Sequence, residues 1–348
     1  MPSPLRSVSV PQLIRIKPGA LGRLPIYLQR EGFQRVLAVV SQGLPAAVQR
    51  HLGPCQFSRT MTVEEASLER LEAIETSVSD HDCVCGVGGG KALDFAKLLA
   101  SRAHLPYLAV PTSLSNDGFC SPNASLTREG KKVSIPARLP VGVVIDLDIV
   151  AEAPETLWLS GVGDLVSKRT AIRDWKIAFH TAGTPFDDLA ALLSDATVYQ
   201  FMACPDRTAE GTRLLAQALL LNGVAMEIAG CSRPASGSEH LISHALDQLA
   251  KEPRAHGLQV GLTTYWMALL QEQDVSDISQ LFETTGFWRY WRANPAPRGL
   301  WERALEIAPE VKQQFVTVLD SPGARERALS LLETDSELRR CFAESSGF

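Results

Sequence analysis

The strongest constraint in this sequence is the alternation, from Val36 to about Val150, of short continuous apolar runs with segments of helical period. Val36–Val40 reads VLAVV, a β-branched run with no polar position, as expected of a strand covered on both faces of a parallel sheet. A glycine turn and a helical segment around Pro45–Leu52 follow. In Glu64–Val78 the residues Ala66, Leu68, Leu71, Ile74 and Val78 form a helical stripe. Asp82–Val87 is the next strand, broken by Gly88, Gly89 and Gly90, and Lys91–Ala103 is the next helix. Tyr107–Val110 is a strand ended by Pro111, and Val141–Ile145 is the last buried strand. Such repetition folds as βαβ units around a parallel sheet. The polar segment 123–135, turning at Arg128-Glu129-Gly130, is expected as a hairpin beside that sheet.

Pro154 marks a break, beyond which long helical periods are separated by Gly and Pro with almost no strand pattern. The fold class expected is therefore α/β, a Rossmann-like parallel sheet over residues 1–153, followed by an all-α domain over 154–348. No internal repeat or low-complexity segment is visible.

Composition limits the function. A formal charge of −5, from 34 basic and 39 acidic side chains, gives no electrostatic reason for nucleic acid or an anionic membrane as main partner. Small molecules are expected instead. The seven cysteines are odd in number and scattered, with no CxxC pair, as in reduced proteins. Cys83 and Cys85 are expected on one strand face as small apolar fillers. The N-terminus MPSPLRSVSVPQLIRI has no signal-peptide pattern, and the longest apolar stretch, around Leu214–Met226, is interrupted and too short to span a bilayer. The expected compartment is the cytoplasm, and a homo-oligomer is expected. Phe287-Trp288-Arg289-Tyr290-Trp291-Arg292 interleaves rings and cations as single-stranded nucleic-acid sites do, yet in an acidic chain helix packing is the better reading.

Three segments can carry chemistry. In Gly86-Val87-Gly88-Gly89-Gly90-Lys91-Ala92-Leu93-Asp94, adjacent glycines at a strand-to-helix turn let the backbone approach a ligand, and the helix amides suit a diphosphate. A tight turn with no ligand explains the glycines equally well, and the spacing is not GxGxxG. Pro111-Thr112-Ser113-Leu114-Ser115-Asn116-Asp117-Gly118 follows a strand, where open α/β folds bind ligands; a polar turn held by its own side chains is the plainer reading. His240 and His244 lie four apart on one helix face, and His256 opens the next helix. With Asp164, in Gly161-Val162-Gly163-Asp164, they make a set of metal-ligand chemistry, although paired histidines without a metal are commoner. HExxH, GxSxG and Walker motifs are absent.

Together, GVGGGKALDFAK, PTSLSNDGFCSP, SGVGDLVSKRTAIRDW, SGSEHLISHALD and HGLQVG resemble the iron-containing alcohol dehydrogenase superfamily, in its sn-glycerol-1-phosphate dehydrogenase branch. The resemblance runs from the first strand to the C-terminal helices. It implies the dehydroquinate synthase-like architecture, a dinucleotide-binding α/β domain and a helical domain with the active site in the cleft between them. It assigns Asp164, His240 and His256 as metal ligands and His244 as a lining histidine that relays a proton. Gly88, Gly89, Gly90 and Asp94 correspond to diphosphate and nicotinamide contacts, Thr112 and Ser113 to the pair beside the cofactor, and Asp117 to the acid that touches the polyol. Asn116 departs from the histidine expected there. Lys168, four residues after Asp164, and Arg169 become candidate phosphate partners.

The implied reaction transfers hydride between NAD(P)H and a phosphorylated ketone, dihydroxyacetone phosphate to sn-glycerol 1-phosphate, with one divalent metal. Zinc suits two imidazoles and a carboxylate, and iron and nickel also accept them. Val40 is followed by Ser41-Gln42-Gly43, so no carboxylate repels a 2′-phosphate, and either nicotinamide is expected to be accepted, with NADPH favoured. A polyol dehydrogenase, a dehydroquinate-synthase-like lyase and a non-catalytic descendant are the alternatives.

Overall fold

A computed structural model describes residues 7–343. The first unit runs to Pro154 and takes in Leu219–Ile228, and the second holds the remainder from Glu155 onward. The elements of the first are β1 (Leu13–Lys17), α1 (Leu24–Arg30), β2 (Val36–Ser41), α2 (Ala46–Leu52), β3 (Arg59–Val63), α3 (Leu68–Ile74), β4 (Cys83–Gly88), α4 (Gly90–Arg102), β5 (Tyr107–Pro111), β6 (Asn123–Arg128), β7 (Lys131–Pro136), β8 (Gly142–Asp146) and α5 (Leu147–Ala151).

Six strands form one sheet in the order β1-β8-β5-β4-β2-β3, and every pair is parallel. The four inner strands are the continuous apolar runs of the sequence, buried almost without exception. The edge strands β1 and β3 are mostly exposed or half-buried and carry alternating polar residues, which is why no apolar run announces them. Cys83 and Cys85 lie within the buried cluster, where burial pushes both thiols up and keeps them inert.

One element differs from the periodic pattern for a local reason. The expected helix 64–78 begins only at Leu68, because the Ser67 side chain accepts the Arg70 N–H and caps it, and its last turn, Glu75–Val78, is a 3₁₀ turn. The hairpin of β6 and β7 is a separate antiparallel ribbon, turned by Glu129 (φ 51°) and Gly130 (φ 75°), with Ala124 and Leu126 buried.

The second unit is helical: α6 (Glu155–Val166), α7 (Lys168–Ala182), α8 (Asp188–Met202), α9 (Ala209–Ala229, part of which belongs to the first unit), α10 (Ser238–Leu249), α11 (His256–Leu270), α12 (Ser276–Thr285) and α13 (Phe287–Ala293). A two-residue strand β9 (Ala296–Pro297), α14 (Arg298–Val311), α15 (Ala324–Thr334), α16 (Ser336–Cys341) and the short β10 (Phe342–Ala343) complete it. Phe287, Trp288 and Trp291 are core residues, Trp291 packing edge-on to Trp301 with centroids 5.5 Å apart, and Arg292 pairs with Glu283 and Glu337. The ring-and-cation run is thus helix packing. Among the described residues no helix is long and apolar enough to cross a membrane.

Candidate active site

In the first unit the candidate residues gather at the carboxyl edge of the sheet. β4 ends on Gly88, whose φ of 136° is strained for any residue with a side chain, and a Cβ there would collide with Ser41 at the end of β2. The Ser41 hydroxyl accepts the Gly89 N–H at 3.1 Å, and the Thr112 N–H donates to the Gly88 carbonyl at 3.0 Å. Ser41, the glycine turn and the start of the Thr112-Ser113 segment are therefore one hydrogen-bonded edge. α4 starts at Gly90 with no side-chain cap, and a Cβ built at Gly89 or Gly90 meets nothing within 4 Å. Those two glycines are not required by packing; they leave open the approach to the N-terminal amides of a helix, which suits the diphosphate of a dinucleotide.

Asp94 lies one turn into α4, and burial raises its pKa against the pull of Lys97, whose ammonium is 3.0 Å away. Lys97 is fully buried, and it also donates to the Asn123 carbonyl at 2.7 Å and to the Gly118 carbonyl. It thereby fastens to α4 the 3₁₀ turn Asp117–Cys120, which presents Asp117. Asn116 is used locally, its Oδ1 accepting the Gly118 N–H at 2.9 Å. Sequence reasoning did not single out Lys97; the signal that could have found it is a cation within the apolar run FAKLLA.

In the second unit three helices converge on Asp164. α6 and α11 approach closely because glycines face each other: a Cβ on Gly163 would meet the Gly257 carbonyl, one on Gly257 the Ser160 carbonyl, and one on Gly261 the Gly163 Cα at 2.7 Å. The Gly257 N–H donates to Ser160 Oγ at 3.0 Å. This seam brings His256, the first residue of α11, to Asp164. The start of α10 is set by buried carboxylates: the Gly237 N–H donates to Glu239 Oε1 and the Ser238 N–H to Asp174 Oδ2, both at 2.6 Å. α10 is then turned so that His240 Nε2 stands 3.7 Å from Asp164 Oδ1, with His256 Nε2 at 3.9 Å from the same oxygen.

One donor atom from each of Asp164, His240 and His256 lies within 4.8 Å of the others. A tetrahedral ion about 2.1 Å from each donor would hold them ~3.4 Å apart, so small side-chain adjustments close the set around a cation. Two imidazoles and a carboxylate are a fitting donor set for a divalent transition metal. Burial opposes the charge on Asp164, but Lys168 above all, then His240 and His256, hold its carboxyl well below the usual range. Burial lowers the His240 pKa, yet the carboxylates of Asp164, 3.7 Å away, and Glu239, 2.8 Å away, outweigh that and raise it to about 9 in the metal-free protein. A cation entering the site must therefore displace a proton.

His244 is exposed, one turn along α10, with its ring 5.8 Å from that of His256 and nearly parallel to it. Lys168 departs from the phosphate-contact expectation. It is fully buried, its ammonium donating to the Asp164 carbonyl at 2.8 Å and lying 3.6 Å from Asp164 Oδ2, so it is the counter-charge of the aspartate and not a phosphate contact. Arg169 is likewise engaged, with Asp277 at 2.7 Å and the Tyr199 hydroxyl at 2.8 Å. The glycine seam, Glu239, and the Ser243–Gln259 pair behind His256 were not singled out by sequence reasoning.

Residues 15–154, which hold the glycine-lined sheet edge, match the family model of iron-containing alcohol dehydrogenases. The same fold is seen in glycerol dehydrogenase from Schizosaccharomyces pombe, with a TM-score of 0.73 at 18% identity, covering 96% of this chain and 91% of that one. Within the class, the chain is 37% identical to the glycerol-1-phosphate dehydrogenase [NAD(P)+] of Thermococcus sibiricus over 81% of its own length and 82% of the relative's. It is 40% identical to that of Korarchaeum cryptofilum, over 73% and 85% respectively. The chain belongs to the glycerol-1-phosphate dehydrogenase family.

Proposed function

We propose that this protein is a metal-dependent, NAD(P)-linked sn-glycerol-1-phosphate dehydrogenase that reduces dihydroxyacetone phosphate to sn-glycerol 1-phosphate. The observation that carries the reading is the convergence of Asp164, His240 and His256 in a chain that matches the named relatives over 73% and 81% of its length. When bound, a divalent ion supplies a Lewis acid for the substrate oxygen and the nicotinamide supplies the hydride. Asp164, His240 and His256 would hold the ion, for which zinc is our assignment, since it accepts two imidazoles and a carboxylate and leaves a fourth position open.

The chain's own work is binding, orientation and proton movement. The open amides at the start of α4 take the diphosphate, and Thr112 and Ser113 lie on the edge that Ser41 and Gly88 complete. Ser41 in place of an acid leaves room for the 2′-phosphate of NADPH, so both nicotinamides serve, with NADPH preferred. Asp117, half-buried on a turn pinned by Lys97, accepts substrate hydroxyl hydrogens. His244, beside the ligand histidines, moves the proton that the new alcohol needs. We place the protein in the cytoplasm.

The homo-oligomer remains our reading. Leu189, Leu192 and Tyr199 form an exposed apolar row on α8, and Arg173 and Lys176 line the same pocket as Asp188 and Asp195, a charge pattern that two copies can share. Light scattering tests it: a mass near 37.8 kDa refutes it.

Incubation of the zinc-loaded protein with dihydroxyacetone phosphate and NADPH tests the reaction. Stoichiometric loss of nicotinamide absorbance with sn-glycerol 1-phosphate as product supports it. No net change with that substrate refutes it, and turnover only with an unphosphorylated ketone would make the protein a polyol dehydrogenase.

A further inference from the structure

We propose that Glu239 is a positioning residue: it accepts the Nδ1–H of His240 and so aims Nε2 of that ring at the ion. This rests on the metal site proposed above.

Glu239 is fully buried, and a buried carboxylate is costly unless each oxygen has a partner. Its Oε1 lies 2.8 Å from His240 Nδ1 and accepts the Gly237 N–H at 2.6 Å, while Oε2 lies 2.7 Å from the Thr170 hydroxyl. Its own backbone carbonyl lies 3.0 Å from the Thr263 hydroxyl, which stands as close to the Gln259 and Val260 carbonyls of α11. The carboxylate can neither rotate nor turn outward without orphaning a buried amide. A carboxylate has no hydrogen to give, so Nδ1 must carry one, and the lone pair of neutral His240 is left on Nε2, the nitrogen that faces Asp164.

His256 is arranged with the same polarity. The Ser243 hydroxyl donates to Gln259 Oε1 at 2.8 Å, and the Gln259 amide nitrogen donates to the Arg254 carbonyl at 3.2 Å, which fixes which end of the amide faces Ser243. The serine oxygen, 3.2 Å from His256 Nδ1, is thereby left as an acceptor. Both imidazoles thus have their outer nitrogen fixed by an acceptor that is itself held, the arrangement that orders metal-ligating histidines. The glutamate adds a charge that the serine lacks, so two substitutions are needed to separate positioning from charge.

The experiment is zinc affinity of the stripped full-length chain, by chelator competition, with the unfolding midpoint of the metal-free protein recorded alongside. In Glu239→Gln the amide oxygen can replace Oε1 and keep both of its hydrogen bonds while the charge is lost. In Glu239→Leu the acceptor itself is gone. Positioning predicts an affinity loss of about 10–100-fold in Glu239→Leu and less than about tenfold in Glu239→Gln. Wild-type affinity in a folded Glu239→Leu, or equal losses in both variants, overturns the proposal. Asp164→Asn separates the two levels: if it abolishes uptake while Glu239→Leu does not change it, the site stands and the positioning role falls. A wild-type chain that takes up no zinc ends both.

Should Glu239→Leu fail to fold, imidazole ¹⁵N spectra of the zinc-loaded protein decide. A His240 Nδ1 proton protected from exchange, shifted but retained in Glu239→Gln, is the expected result, and its absence in the wild type overturns the proposal.

Discussion

Lys168 shows how a single charge is used. In sequence it stands four residues after Asp164 and looks like a phosphate contact; in the structure Asp164 and Lys168 are 1% and 0% exposed, 3.6 Å apart. Removing one partner of a buried pair leaves an uncompensated charge, at a cost of about 3–5 kcal/mol. Lys168→Met should lower the stability of the metal-free protein by that order in urea, and by clearly less when zinc is bound, because the cation then supplies the missing positive charge. Equal losses in both states would show that Lys168 does not balance Asp164. Gly89 gives the complementary test. A Cβ there meets no protein atom within 4 Å and the backbone is extended at φ −86° and ψ 179°, so Gly89→Val should fold normally and retain zinc. Its NADPH affinity, measured by nucleotide fluorescence, should fall at least tenfold as the side chain fills the diphosphate approach; undiminished affinity removes the glycine turn from the cofactor site.

Between elements, glycine does different work. Gly257 serves the contact of α6 with α11, where a Cβ would run into the Ser160 carbonyl. Gly257→Ala must push these helices apart beside His256 and Asp164, with a stability loss of about 1–3 kcal/mol from overpacking and a loss of zinc affinity. Gly299, in α14 with nothing within 4 Å of its Cβ position, is the control: Gly299→Ala should be neutral or slightly stabilising. Unchanged zinc affinity in Gly257→Ala would show that the seam does not set the site. The motifs GVGD and HGLQVG were visible in sequence, but pattern alone could not tell glycines that meet another backbone from those that make room for a ligand. The inner strands β2, β4, β5 and β8 were legible because burial on both faces leaves no polar position. Strands β1 and β3 were not, since an edge strand exposes part of each face to water.

Over the whole chain, the α/β and helical halves follow from periodicity, and the inclusion of Leu219–Ile228 in the first unit does not. The reason is visible at Gly223, where a Cβ would collide with the Cys120 carbonyl: the middle of α9 lies against the 3₁₀ turn that carries Asp117, a long-range contact without a local signature. The proposed ligand set was legible as residue types, while Glu239, Ser243 and Gln259 are ordinary polar residues until the helices bring them behind the histidine rings.

The central claim is that Asp164, His240 and His256 share one divalent cation. Anomalous scattering from a crystal of the zinc-loaded protein, recorded across the zinc absorption edge, tests it most directly. The account predicts one strong peak about 2.0–2.2 Å from a carboxylate oxygen of Asp164 and from Nε2 of both histidines, lost in His256→Ala. Zinc bound elsewhere, or ligated without Asp164, would contradict it.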